Sequence, residues 1–249
     1  MKNINRLSKA IVVIGCNSNL GMQLISNLEK NNYNSIIKVG RTMFSPIKST
    51  SSVNYQCDLE SLEQVELLIE NLRSHDIKSI ICISGGYPKR TGDTNDFASQ
   101  KKEIDRLIMT HAFAYKLIVE NLLSNTTSIS VVYISSTSVY WKGKGNLNYG
   151  ISKAQAEHTM IALGIQNLEN TNRINVIRLG TMEQPFRNNN LEFTDEEFEQ
   201  RKSLLPMQKP ISFEQAVELI KFLISGKSSG LHGNIFTLDN GESLLRNCP

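Results

Sequence analysis

Ser136, Tyr149 and Lys153 are the residues of this sequence whose types and spacing are best suited to chemistry. Tyr149 and Lys153 are four residues apart, so in a helix they lie on one face, one turn from each other. An ammonium beside a phenol favours the phenolate and lowers the pKa of the tyrosine from about 10 towards the range of a general acid or base. A serine hydroxyl nearby can hydrogen-bond a substrate oxygen. Together the three side chains suit proton transfer to or from a carbonyl or an alcohol.

The sequence around these residues predicts a strand, a loop and a helix. Residues 129–134 are a β-branched and aromatic run, which is typical of a buried parallel strand, and two serines end it. A loop rich in Gly, Lys and Asn follows, and the helix begins near Tyr149. The pattern Tyr-x-x-x-Lys is common by chance. Its weight comes from Ser136, which lies thirteen residues earlier, across the strand, the loop and the helix.

At these residues the sequence resembles the short-chain dehydrogenase/reductase family, whose signature is a serine thirteen residues before Tyr-x-x-x-Lys. The resemblance implies NAD(P)-dependent reduction of a carbonyl or oxidation of the matching alcohol. It implies that Tyr149 donates the proton, that Lys153 lowers the pKa of Tyr149 and holds the cofactor ribose, and that Ser136 polarises the substrate oxygen. Residues 233–241 also resemble the family's last strand and turn. That segment has no catalytic meaning, so it supports the resemblance independently of the active site.

A glycine-bearing turn follows the first predicted strand, residues 10–14, and precedes a helical pattern. A strand, such a turn and a helix form the phosphate-binding corner of a dinucleotide fold, because the helix N-terminus supplies free N–H groups. The family writes this turn as Gly-x-x-x-Gly-x-Gly, and the middle glycine is here Asn19. We expect the turn to survive because asparagine tolerates a left-handed conformation. The residues predicted to contact the cofactor in this turn are Gly15, Ser18, Asn19, Leu20 and Gly21.

Arg41 follows the second predicted strand, residues 35–39, twenty residues after Gly21. Dinucleotide folds place at this point either an acid for the ribose hydroxyl or an arginine for the 2′-phosphate. No Asp or Glu lies near the end of this strand. Arg41 therefore favours NADP over NAD as the cofactor, and a solvated surface arginine is the alternative.

The resemblance implies further cofactor contacts at residues that follow three other predicted strands. These residues are Asp58 and Leu59, Gly85 and Gly86, and Gly180 and Thr181. The first pair would border the adenine, where the aspartate bonds the ring amine. The second pair would lie against the ribose, and the third would contact the nicotinamide amide. A turn or helix N-cap role competes for Asp58.

His111 lies in a pattern that predicts one long helix over residues 103–123. Members of the family carry an asparagine inside this helix, which holds a water in the proton relay to the lysine. The alignment places His111 at that position. A histidine can hold a water or relay protons near neutral pH. A packed or half-exposed histidine without a catalytic role is the alternative.

Composition excludes several classes of protein. A hydrophobic content of 40% and a charged content of 20% are ordinary for a globular chain. The net charge of +3 is too small to indicate a nucleic-acid partner. The four cysteines have no paired spacing, so neither a disulfide framework nor a metal site is expected. The N-terminal apolar run is too short for a signal sequence or a membrane span. We therefore expect a cytoplasmic protein without a metal and without a membrane partner.

Strands alternate with helices from residue 10 to residue 239, which predicts a doubly wound Rossmann-type α/β domain with a mostly parallel sheet and helices on both faces. We expect residues 1–249 to form this single domain and residues 182–209 to form a substrate lid. The resemblance implies a homodimer or homotetramer that pairs through the two long helices around residues 103–123 and 149–165.

Two other functions remain open. One is a sugar-nucleotide epimerase or dehydratase with bound NAD, which the Ser-Thr-Ser-Val-Tyr segment resembles. The other is a non-catalytic nucleotide-binding or regulatory protein.

Overall fold

The computed structural model describes residues 9–42, 52–83, 96–126, 128–140, 147–168, 171–183 and 195–246. Seven strands in this part of the chain form one sheet in the order β3-β2-β1-β4-β5-β6-β7, and every neighbouring pair is parallel. The strands are β1 Ala10–Ile14, β2 Ile36–Gly40, β3 Ser52–Gln56, β4 Ile77–Cys82, β5 Ser130–Ser136, β6 Arg173–Leu179 and β7 Ile235–Leu238. The predicted Rossmann-type sheet is confirmed, and the described strands are wholly rather than mostly parallel.

Helices cover both faces of the sheet, as the alternating pattern predicts. They are α1 Asn19–Lys30, α2 Leu62–Leu72, α3 Phe97–Ile108, α4 Ala114–Asn125, α5 Leu147–Gln166, α6 Asp195–Ser203, α7 Phe213–Ile224 and α8 Glu242–Arg246. One apolar core packs α2, α4 and α5 against the sheet, and a second core packs α1 and α7 against the opposite face. The five inner strands are mostly buried because both faces are covered, whereas the edge strands β3 and β7 are partly exposed. Burial of these side chains, at about 25 cal/mol per Å² of apolar surface, is the main stabilising contribution.

The long helix predicted over residues 103–123 differs from the structure in two ways. It begins earlier, at Phe97, because the side chain of Asp96 caps the N–H groups of Ala98 and Ser99. It is also interrupted by one π-helical turn, Met109–Phe113, which contains His111. Such a turn holds one more residue than an α-turn and is frequent at functional sites. Hydrophobic spacing does not reveal it.

The parallel topology decides where the predicted site residues lie. All seven strands end at the same edge of the sheet, and open α/β sheets bind ligands at that edge. Ser136 ends β5 and pairs in register with Leu179, which ends β6. The turn after β1 and residue Arg41 after β2 lie at the same edge.

Candidate active site

Lys153 lies in the buried centre of the candidate site and is only 3% exposed. Its Nζ donates hydrogen bonds to the backbone carbonyl of Ile134 at 3.0 Å and to the hydroxyl of Tyr133 at 3.2 Å. The same atom lies 5.8 Å from the centre of the Tyr149 ring. Burial lowers the pKa of the Lys153 ammonium to about 7, and the charge of Glu157 acts in the opposite direction. The charge of Lys153 is therefore poised to change near neutral pH.

His111 is fully buried and packs against Tyr149. The two rings meet edge to face with their centres 5.3 Å apart. Nδ1 of His111 lies 2.8 Å from the hydroxyl of Ser152, and that hydroxyl lies 2.9 Å from the backbone carbonyl of Tyr149. A serine hydroxyl has one hydrogen and a carbonyl only accepts, so both bonds form when Nδ1–H of His111 donates to Ser152. In the neutral ring this assigns Nε2 as the acceptor.

Ser136 is held by the 3-10 turn Thr137–Tyr140, which directly follows β5. Its hydroxyl accepts from the N–H of Ser138 at 3.1 Å and donates to the hydroxyl of Ser138 at 3.0 Å. Helix α5 reaches this turn through Gly150, where a Cβ atom would lie 2.7 Å from the carbonyl oxygen of Ser138. Gly150 follows Tyr149 directly, so the missing side chain lets the helix carrying the tyrosine approach the turn carrying the serine.

The glycine-bearing turn after β1 has the geometry of a phosphate-binding corner. Gly15 has a φ of 95°, a left-handed conformation that favours glycine. A Cβ atom on Gly21 would lie 2.3 Å from the carbonyl oxygen of Gly15, so this position requires glycine as well. Ser18 caps helix α1, since its hydroxyl accepts from the N–H of Gly21 at 3.0 Å and donates to the carbonyl of Gly15 at 2.8 Å. Ser18 therefore has a structural role in addition to its predicted contact with the cofactor.

The expectation that Asn19 adopts a left-handed conformation is wrong. Asn19 is the first residue of α1, and left-handed φ values occur elsewhere in the described chain. The turn survives because the residue after an N-cap already has helical dihedral angles, so the middle glycine position needs no positive φ. Among the described residues, the backbone N–H groups of Asn19 and Leu20 have no protein acceptor. Two such groups at a helix N-terminus fit a pyrophosphate.

Arg41 is exposed at the end of β2, beside this turn. The side-chain amide of Asn17 donates to the carbonyl of Thr42 at 3.0 Å and to its hydroxyl at 2.5 Å. Gln56 on β3 donates to the carbonyl of Arg41 at 3.1 Å. The backbone of Arg41 is therefore held next to the phosphate-binding corner while its side chain faces outward.

Asp58 has the turn role that competes with adenine binding. One of its carboxylate oxygens accepts from the N–H of Glu60 at 3.0 Å, whereas Ser61 is the N-cap of α2. Its neighbour Leu59 is buried in the core. The adenine contact of both residues stays a prediction. Gly85 and Gly86, which were predicted to contact the ribose, lie outside the described residues.

Thr181 is bound to a carboxylate of the C-terminal helix. Its N–H and hydroxyl donate to the two oxygens of Glu242 at 2.7 Å and 3.1 Å, and its carbonyl accepts from the N–H of Ile211 at 2.8 Å. Glu242 is only 3% exposed and begins α8. The donors of Thr181 are thus used inside the protein. The nicotinamide contact of Gly180 and Thr181 stays a prediction.

Comparisons with known proteins show the family and the fold of the chain. A family model described as enoyl-(acyl carrier protein) reductase matches residues 37–243. The chain belongs to the short-chain dehydrogenase/reductase family. Its members are NAD(P)-dependent oxidoreductases. No curated protein is similar enough in sequence to count as a relative.

Solved structures of short-chain dehydrogenases/reductases show the same fold at low sequence identity. A short chain dehydrogenase family protein from Francisella tularensis has a TM-score of 0.81 at 17% identity, over 95% of this chain and 99% of that one. Levodione reductase has a TM-score of 0.83 at 17% identity, over 95% and 98%. A short chain dehydrogenase from Bacillus anthracis has a TM-score of 0.78 at 15% identity, over 97% and 99%.

Four partners of the site in this short-chain dehydrogenase/reductase were missed by the sequence analysis. They are Tyr133, Ser152, Glu157 and Arg178. Ser152 and Glu157 carry a local signal, because Ser152 lies within the Tyr-x-x-x-Lys motif and Glu157 lies four residues after Lys153 on the same helix. Tyr133 and Arg178 carry none, because their contacts form only when strands β5 and β6 pack against α5.

The described part of this short-chain dehydrogenase/reductase shows neither a metal site nor a membrane-spanning helix. The described residues contain no group of three His, Cys, Asp or Glu side chains able to hold a metal ion. Among the described helices, none has both the length and the apolar character needed to cross a membrane. Cys16, Cys57 and Cys82 are buried thiols without a disulfide.

Proposed function

We propose that the protein is an NADP(H)-dependent oxidoreductase that reduces a carbonyl of a small-molecule substrate or oxidises the matching alcohol. The arrangement of Tyr149, Lys153 and His111 carries this proposal. A phenol lies beside a buried ammonium on one side and a hydrogen-bonded imidazole on the other. A structural ion pair or a packed core does not need this combination of groups.

The surroundings of the side chains support the following roles. Tyr149 transfers the proton to or from the substrate oxygen, and Ser136 hydrogen-bonds the same oxygen. Lys153 stabilises the phenolate of Tyr149 by its charge and holds the ribose. The glycine-bearing turn holds the pyrophosphate by the N–H groups of Asn19 and Leu20. The nicotinamide, when bound, supplies or accepts the hydride.

Arg41→Ala is expected to raise the Kd for NADPH about tenfold or more and to leave the Kd for NADH unchanged. A hydrogen-bonded charge pair with the 2′-phosphate contributes about 1.5–3 kcal/mol, and each 1.4 kcal/mol is a factor of ten. Titration of nucleotide fluorescence with the purified protein measures both constants. The control is Arg73→Ala, because Arg73 donates to Asn121 at 2.9 Å on another part of the surface. Tight NADH binding that is indifferent to Arg41 would contradict the NADP assignment and favour the epimerase-like alternative with bound NAD.

His111→Leu is expected to lower kcat about 10²-fold, whereas His111→Asn is expected to keep most of the activity. The reason is that an asparagine amide can donate to Ser152 and still offer an oxygen as the acceptor that we assign to Nε2. Steady-state kinetics of both variants, together with their thermal unfolding, make the comparison. Equal losses in the two variants at equal stability would show that the acceptor has no part in the reaction.

We further propose that residues 1–249 act as one catalytic domain in the cytoplasm and that residues 182–209 form its substrate lid. In support of a lid, Met182 forms a β-bridge with Ile211, which ties the two ends of this segment together, and α6 lies within it.

We also propose a homodimer or homotetramer. In its support, the half-exposed apolar side chains of Phe113 and Ile151 lie on the helical segments predicted to pair. Sedimentation velocity tests this assembly, and a monomer would contradict it.

A further inference from the structure

A buried ion pair between Glu157 and Arg178 joins α5, β6 and the 3-10 turn Thr137–Tyr140. Glu157 on α5 accepts from Nε of Arg178 on β6 at 2.9 Å and from its Nη2 at 2.6 Å, so the contact is a two-pronged fork. The side chain of Glu157 is 5% exposed and that of Arg178 is 16% exposed. Arg178 also stacks on the ring of Tyr140, 4.5 Å from its centre, and donates to the hydroxyl of Tyr140.

The ion pair lies close to both Lys153 and the turn that holds Ser136. Glu157 lies one helical turn beyond Lys153, on the face of α5 that also carries Tyr149. Tyr140 ends the 3-10 turn whose first half holds the hydroxyl of Ser136. Glu157 therefore neighbours the ammonium, and Arg178 fixes the turn that positions the serine.

The groups that face Lys153 differ in charge. They are Tyr149 and Glu157 on its own helix, Cys82 on β4, Tyr133 on β5, and, one contact further away, Tyr115 on α4, His111 in the π-turn and Arg178 on β6. Burial raises the pKa of the Cys82 thiol and of the Tyr133 phenol, so both are neutral at pH 7. The carboxylate of Glu157 thus supplies the negative charge among them.

We propose that Glu157 and Arg178 form a positioning pair for the active site, in which Glu157 is the counter-ion of the Lys153 ammonium and Arg178 holds both Glu157 and Tyr140 in place. As a statement about catalysis, this inference rests on the proposed function. As a statement about the charge of Lys153, it concerns the protein alone. Neither residue needs to contact the substrate.

The test is a pH titration of the protein labelled with ¹³C at the lysine ε-carbons, followed by NMR without any cofactor. The Lys153 signal is assigned by its loss in Lys153→Met. Glu157→Gln removes the counter-ion, so the midpoint of Lys153 is expected to fall by about one pH unit. Arg178→Gln leaves the carboxylate without its partner, so the midpoint is expected to rise. Opposite shifts of the midpoint in the two variants indicate an electrostatic role. Damage to the packing would shift the midpoint in the same direction in both variants.

Two further variants keep the test decisive if one partner of the pair cannot be removed without unfolding. Glu157→Asp retains the charge on a shorter side chain, so its midpoint is expected to stay near that of the unaltered protein. The matched control is Glu218→Gln, which removes a surface ion pair with Lys221 on α7 and is expected to shift nothing. Shifts of the same sign in Glu157→Gln and Arg178→Gln, or a shift in Glu157→Asp as large as in Glu157→Gln, would overturn the proposal.

Activity measured on the same variants tests the link to catalysis. The high-pH limb of carbonyl reduction is expected to move with the NMR midpoint, down in Glu157→Gln and up in Arg178→Gln. If the NMR midpoints move as expected and no variant reduces a carbonyl, the counter-ion stands and the proposed function fails. If the variants are active and the high-pH limb of their activity does not shift with the NMR midpoint of Lys153, the positioning role is overturned.

Discussion

Tyr149→Phe is expected to lower kcat for carbonyl reduction by about 10²–10⁴-fold while NADPH binding stays within about threefold. The phenol lies 5.8 Å, ring centre to Nζ, from the Lys153 ammonium and packs edge to face on His111. Phenylalanine keeps the ring and these packing contacts and removes only the group that carries the proton. Steady-state kinetics with a panel of ketones and aldehydes, alongside nucleotide fluorescence, separates the two effects.

Tyr33→Phe is the matched control for this experiment. Tyr33 is a half-buried phenol just before β2, at the edge of the sheet opposite the candidate site. Its loss is expected to leave kcat within about twofold. If Tyr149→Phe retained full activity, Tyr149 would not be the proton donor, and the oxidoreductase mechanism proposed above would be wrong.

Gly21→Ala is expected to abolish measurable NADPH binding and to lower the free energy of unfolding by about 3 kcal/mol. The added Cβ would lie 2.3 Å from the carbonyl oxygen of Gly15 and 3.0 Å from Cα of Cys16. Both neighbours are backbone atoms, so relief requires the whole turn to move. Because the N–H groups of Asn19 and Leu20 point from this turn, moving it also displaces the donors of the phosphate-binding corner. Urea unfolding and nucleotide titration measure the two effects.

Gly226→Ala provides the comparison, since an added Cβ at Gly226 meets no heavy atom of the described chain within 4 Å. Its free energy of unfolding is expected to stay within about 0.5 kcal/mol of the unaltered protein, with unchanged NADPH binding. A stable Gly21→Ala variant that binds NADPH normally would show that the corner tolerates a side chain and that the cofactor lies elsewhere.

The parts of the fold that follow from local spacing were predicted correctly. The alternation of apolar runs with helical patterns predicted the parallel sheet with helices on both faces, and β1 has the predicted bounds, residues 10–14. A capping box of Ser212 and Gln215 at the start of α7 is a local feature of the same kind. Such features depend on residues within one or two turns of each other, so a single sequence displays them.

The errors have a common physical origin. Asn19 was assigned a left-handed conformation because the family motif has glycine there, yet its helical dihedral angles are set by the Ser18 cap. The π-turn around His111 was missed because one extra residue in a turn leaves the hydrophobic spacing of the flanking helices almost unchanged. In both cases the backbone conformation depends on hydrogen bonds that a motif does not specify.

The sequence by itself determined the fold class, the family and the candidate proton donor, since Ser136, Tyr149 and Lys153 are linked by spacing along one strand, loop and helix. The tertiary structure alone decided the environment of these groups: the burial of Lys153, its bond to Tyr133, the tautomer of His111 and the fork between Glu157 and Arg178. These contacts join residues of different elements, up to 41 positions apart along the chain for His111 and Ser152. Charge and proton affinity depend on desolvation and on such neighbours, so they are decided only when the elements pack together.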